Sequence, residues 1–263
     1  MLADLTPAVW AETLKARRSV APWVTLAAIT LAALVGGFFM FVLKEPAHAR
    51  SLGLLGAKAE LTGGTADWAG YFALTAQIVA VGGLLVFGLV VVWLFGREFT
   101  DRTAKDLLAL PTSRRDVVTA KLLVALGWCL SLTVLLLVMT FAMGALLGLP
   151  GWSAAVALRG VGTVLAAALL TATLTTTYGL VASVGRGYLA AVAAMFVTLL
   201  AAQVVSAVGY GAWFPWAVPS LLAGVAGPAQ TGPGAAGVGS VLLVGLVSIA
   251  ATVGWWERAD QTR

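Results

Sequence analysis

The sequence predicts an all-α fold: a polytopic membrane protein with six transmembrane helices, an N-terminal interfacial helix, a short cytoplasmic helix between spans 2 and 3, and short re-entrant or interfacial helices between spans 5 and 6. Three observations carry this prediction. The first is composition. Of 263 residues, 60% are hydrophobic and 10% charged, with a mean hydropathy of +0.98, whereas a soluble domain carries about 25% charged residues. A chain this apolar cannot coat itself with polar surface. The second is the presence of six apolar runs, at 22–43, 72–95, 117–147, 158–184, 188–209 and 236–256, each near or above the roughly 20 residues that a spanning helix needs. The third is the placement of Lys and Arg. Twelve fall in the N-terminal segment, the loop between spans 2 and 3, the turn between spans 4 and 5, and the C-terminus; four (Lys44, Arg50, Lys58 and Arg159) fall on the other side. By the positive-inside rule this asymmetry places both termini in the cytoplasm. It also accounts for the net charge of +5 without nucleic acid as a partner.

The chain begins with an amphipathic segment, residues 1–20. Thr6 suits a helix cap with Pro7 in the first helical position. On a helical wheel Val9, Thr13, Ala16 and Val20 cluster, with Trp10 and Leu14 beside them, while Glu12, Lys15 and Arg18 lie opposite. Such a helix suits the inner membrane face, although a plain basic flank of span 1 fits the same residues. The apolar run that follows is too long for a cleavable signal peptide and reads as span 1.

The connection from Lys44 to Tyr71 is external and solvated. It holds His48, the only histidine, which excludes any metal site or catalytic pair that needs two. No metal-binding or catalytic set is expected. The single cysteine, Cys129, excludes an intrachain disulfide. Span 3 is long, about 46 Å as a helix against a hydrocarbon core of roughly 30 Å, so its start is expected outside the hydrocarbon. Spans 4 and 5 are divided by Gly185-Arg186-Gly187, a turn signal that makes a hairpin of them.

Between spans 2 and 3 lies GREFTDRTAKDLLALPTSRRD, residues 96–116, which holds nine of the chain's charged residues. As a plain solvated loop its charges would set topology and nothing more. Residues 100–110 suit a short helix, with Ala104, Leu107 and Leu108 on one face. Pro111 ends it, because proline lacks the amide hydrogen and restricts its predecessor. Ser113, three residues before Asp116, then caps the next helix. A loop that only sets topology has no need of an apolar helix face or of a rigid helix–Pro–helix joint.

The pattern Glu98-x4-Thr103-x3-Leu107-Leu108-x2-Pro111-x2-Arg114, with Lys121 following, resembles the cytoplasmic loop of type-2 ABC exporter permeases, in particular the bacitracin-resistance and multidrug type. A second stretch, GYGAWFPWAVPSLL at 209–222, resembles that family's segment between spans 5 and 6, where short helices dip into the outer membrane face. The resemblance covers the whole chain as one permease domain, 1–263. It implies that Thr103 to Leu110, including Lys105, is a coupling helix that meets a separate ATPase subunit, with Glu98 and Arg114 anchoring the helix ends by charge. It also implies a second permease copy, identical or related, and residence in the bacterial plasma membrane. ATP and Mg would be bound by the partner, because no lysine here follows glycine as a phosphate loop requires; no cofactor is expected in this chain.

The spans hold few polar groups. Thr171, Thr173, Thr175, Thr176 and Thr177 crowd span 4 and can bond back to their own helix or form a polar wall. Gln203, the one amide in span 5, is expected at a helix contact, the substrate path or a dimer seam, together with Thr173 and Thr177. Gly82-Gly83 and Gly144-x3-Gly148 permit close helix packing. No acid lies inside a span, which argues against an ion-driven transporter and suits an apolar or amphipathic cargo such as a peptide antibiotic, a drug or a lipid. An efflux permease is therefore the leading reading. A secondary transporter and a non-transporting sensor or immunity subunit are the alternatives.

Overall fold

The computed structural model describes residues 2–45, 65–103, 112–225 and 232–258. The described residues form helices and no strand. In chain order these are α1 (Leu2–Arg17), α2 (Ala21–Lys44), α3 (Trp68–Thr100), α4 (Arg114–Leu146), α5 (Ala154–Val184), α6 (Tyr188–Ala207), the short α7 (Val218–Leu222) and α8 (Gly234–Arg258). Six of them, all but α1 and α7, are long and apolar enough to cross a membrane. These are the six expected runs, extended at most of their ends, and at the starts of α3, α4 and α5 by residues that a side chain caps.

The caps explain the extensions. Asp67 accepts from the Gly70 amide at 2.7 Å and starts α3 four residues before its apolar run. Ser113 accepts from the Asp116 amide at 3.1 Å and starts α4 at Arg114. The reciprocal half of a capping box is replaced, since the Ser113 hydroxyl donates to the Asp116 carboxylate at 2.6 Å. Ser153 does the same service for α5 through the Val156 amide at 3.2 Å. The turn at Gly185-Arg186-Gly187 separates α5 from α6 as expected, with Arg186 at φ 51°. Within α3, Ile78–Gly82 is a π-helical turn that nothing in the sequence IVAVG signals.

Three local expectations are corrected. α1 starts at Leu2, so Pro7 lies inside the helix and not at its first position. There proline removes one intrahelical bond, that to the residue 3 carbonyl. Gly82 does not pack closely, since a Cβ there would meet nothing within 4 Å. Gly148 adopts φ +57° and closes α4 instead of joining a packing stripe, whereas Gly144 does lie under the Trp68 ring, 2.6 Å from where a Cβ would be.

The core has two main parts. One, at the α2–α3 connection end, gathers Trp68, Tyr71, Phe72, Leu136 and Val164. The other gathers Val91, Phe95, Val118, Tyr178, Met195 and Trp256 at the opposite end. α5 contacts α3, α4, α6, α7 and α8 and is the central post. Tyr210 and Trp213, in the aromatic segment between α6 and α7, are exposed. That segment holds two short 3-10 turns, Gly211–Trp213 and Pro215–Ala217.

Candidate functional site

At the end of the bundle where α3 stops and α4 starts, four charged side chains meet inside the protein. Lys121 on α4 has no exposed surface, Glu98 on α3 is 2% exposed and Glu12 on α1 is 3% exposed. An ammonium has three hydrogens to place, and Lys121 places all of them. Its Nζ donates to Glu12 Oε2 at 2.8 Å, to Glu98 Oε1 at 2.9 Å and to the Leu94 carbonyl at 2.9 Å. Lys15, at the rim, donates to Glu12 Oε1 at 2.8 Å and to Glu98 Oε1 at 3.1 Å. Burial alone would lower the Lys15 pKa, but Glu12, and after it Glu98, hold the ammonium above its ordinary value. Two carboxylates and two ammoniums balance, which is the condition for keeping charge out of water.

The network reaches the charged loop through Thr103, whose hydroxyl donates to Glu98 Oε2 at 2.6 Å. Thr103 is the last described residue before the stretch 104–111. On the other side of that stretch Arg114 donates through Nη1 to the Trp256 carbonyl at 3.0 Å and the Glu257 carbonyl at 3.2 Å. A guanidinium there meets the negative end of α8. Arg115 pairs with Glu257 beside it. Both ends of the loop are therefore fastened to the helix bundle, one to α1 and α4, the other to α8. A cavity of about 490 Å³ lies next to the network, lined by Ala8, Ala11, Lys15, Arg97, Thr103 and Thr112 among others.

The polar side of the N-terminal segment is split: Arg18, just beyond α1, is exposed, whereas Glu12 is buried. Glu12 and Ala16 point into the protein, while Trp10 is 66% exposed. The acid that seemed a solvent-facing group is the buried counter-ion of Lys121.

Of the residues singled out in the sequence, Glu98 and Thr103 are joined directly, and Arg114 is engaged with α8. Lys105, Leu107, Leu108 and Pro111 lie outside the described residues, as does His48. Thr173 and Thr177 both face α8. A Cβ at Gly245 would lie 2.2 Å from Thr173 Cγ2, and Thr177 shares a 2.9 Å hydrogen bond with Ser248. Thr173, Thr175 and Thr176 bond back to carbonyls of their own helix at 2.7–2.8 Å, whereas Thr171 Oγ1 is buried without a partner among the described residues. Gln203 is exposed on α6, and no hydrogen bond joins it to either threonine. Sequence reasoning did not pair Glu12 with Lys121. The signal it offered was an acid three residues before a lysine, a common surface pattern.

A family model described as "ABC-2 family transporter protein" matches residues 8–202. The chain is similar to the bacitracin transport permease protein BCRB of Bacillus licheniformis, with 26% identity over 183 residues, which is 70% of this chain and 88% of that protein. No solved structure matches.

Proposed function

The chain belongs to the ABC-2 transporter family, and from that premise we propose that it is the export permease of a complex driven by a separate ATP-binding-cassette ATPase. That it is a multi-pass membrane permease follows from the family and the six helices. The finer reading is the proposal. Residues 103–110 dock on the ATPase, which binds ATP and Mg, with Glu98 and Arg114 anchoring the segment's ends, and a second permease copy completes the path. The complex sits in the bacterial plasma membrane with both termini in the cytoplasm. The cargo is amphipathic or hydrophobic. The similarity to a protein named for bacitracin transport supports a peptide antibiotic, and the lack of acids deep in the spans supports any cargo without a strong charge.

The observation that carries this reading is the buried network. A loop that only set topology would need no fixed attachment. Here Glu98 and Thr103 tie the loop's start to Lys121 of α4 and to Glu12 of α1, and Arg114 ties its end to α8. The residues that flank 104–111 are thus attached to α1, α4 and α8, which suits the passing of a displacement from the loop to those helices. Co-purification tests it. The ATPase subunit should be retained by the wild-type chain and lost with Leu107→Arg or Leu108→Arg. An ATPase that stays bound to both variants would overturn the docking assignment.

A further inference from the structure

At the end of the molecule opposite the ion network, α3, α5 and α7 surround a cavity of about 380 Å³. Its walls are largely apolar and include Phe72, Ala73, Val156 and Ala223. α3 and α5 come together there because residue 160 is glycine: a Cβ would lie 2.3 Å from the Phe72 ring. The cavity's one charged lining residue among those described is Arg159.

Arg159 is poorly provided for by its own chain. It stands in the second turn of α5, a membrane-crossing helix. The N-terminal end of a helix is the positive end of its dipole, where a cation is disfavoured. The first turn of α5 supplies no acid to offset this, and no carboxylate among the described residues pairs with Arg159. Its Nε donates to the Ala155 carbonyl at 3.2 Å, one turn back, which directs the exposed guanidinium toward the N-terminal end of α5 and leaves the terminal nitrogens for another acceptor. The Thr163 hydroxyl is committed to the Arg159 carbonyl at 3.0 Å. Donation to an anionic ligand thus falls to the guanidinium.

A charge at the margin of the hydrocarbon, beside an apolar cavity, in a positive local field and without a counter-ion, calls for an anion with an apolar body. We propose that Arg159 and this cavity bind an anionic glycerophospholipid. The phosphate sits on the guanidinium, whose paired N–H groups match phosphate oxygens, and the glycerol and upper acyl chain lie against Phe72, Ala73 and Val156. A soluble phosphate would leave those walls unused. The site does not depend on the exporter reading, since it lies at the other end of the bundle from the loop that meets the ATPase.

The test uses the full chain in detergent with a photoactivatable diazirine phosphatidylglycerol, the labelled peptides being mapped by mass spectrometry. Label is expected on residues 69–73 and 156–163. Arg159→Gln should lower it about tenfold, the scale of one charge-assisted hydrogen bond, and Arg159→Lys should keep an intermediate level. Label on the basic N-terminal segment should not change, and serves as the reference. A phosphatidylcholine probe of the same chain length should label the cavity several-fold less. Size-exclusion elution of the variants establishes that they remain folded. Equal labelling of wild type and Arg159→Gln, or equal labelling by both probes, would show that Arg159 only reaches for the interface and would overturn the proposal. Loss of label on adding glycerol 3-phosphate would overturn it in favour of a soluble phosphate site.

Discussion

Replacing Lys121 by Met keeps the length and volume of the side chain and removes its charge. The three groups that Lys121 satisfies are Glu12, Glu98 and the Leu94 carbonyl. After the change two carboxylates that are 3% and 2% exposed share one remaining cation, Lys15, at the rim. Breaking a buried pair by removing one partner costs about 3–5 kcal/mol, equivalent to a factor of roughly 140 to 4,000 in the folding equilibrium. The assay is the midpoint of unfolding in a titration of denaturing into mild detergent, read by near-ultraviolet circular dichroism. The same protein carries its own control. Arg115 and Glu257 form an ion pair in the open, with Arg115 62% exposed, so Arg115→Gln should leave the midpoint within error. The double change Glu12→Gln with Lys121→Met removes a charge of each sign and should restore more than half of what Lys121→Met loses. If Lys121→Met moves the midpoint no more than Arg115→Gln does, or if the Glu12 and Lys121 effects simply add, the four charges do not act as one buried unit.

Further predictions concern packing, capping and assembly. Gly245→Leu would drive a side chain into Thr173, which already lies 2.2 Å from a Cβ at that position. Overpacking of this kind costs about 1–3 kcal/mol, visible as a lower unfolding midpoint, and Gly82→Ala, facing open space, should show no such loss. Ser113→Ala removes the cap of α4 and should cost about 1 kcal/mol, which Ser113→Thr, with a hydroxyl that both accepts from the Asp116 amide and donates to its carboxylate, recovers. Gln203→Cys in a Cys129→Ala background should form a disulfide-linked dimer in membranes under mild oxidant if α6 lies at the seam with a second copy. A monomer on a non-reducing gel would place Gln203 elsewhere.

What could be read from the sequence was local. The spans declared themselves through unbroken hydropathy. Their ends followed from residues that act within one turn, such as Ser113, Ser153 and the Gly185-Arg186-Gly187 turn. The ion network is of another kind. Glu12 and Lys121 are separated by 109 positions, and Arg114 finds its acceptors 142 and 143 positions away. Neither separation leaves a periodic trace. Glu12 was also misleading on its own terms. On a helical wheel it belongs to the polar face, which hydropathy assigns to water, yet its carboxylate is buried against Lys121 of α4, while Arg18 of the same face stays exposed. Arg159 was visible as a charge at a span edge, but only the fold shows that it stands beside a cavity and lacks a carboxylate. The π-helical turn at Ile78–Gly82 had no sequence signal, since its residues suit an ordinary apolar helix equally well.

The central claim is that residues 103–110 are where a separate ATPase engages this permease. Site-specific photo-cross-linking tests it most directly. Benzoylphenylalanine is placed singly at Lys105, Leu107 or Leu108, and at Trp152 on the opposite end as a control, in cells that express the whole transporter, and the cross-linked products are identified by mass spectrometry. The account predicts an ATP-binding-cassette subunit captured from the loop positions and not from Trp152. Loop positions that capture no such subunit, or a Trp152 probe that captures it equally well, would contradict it.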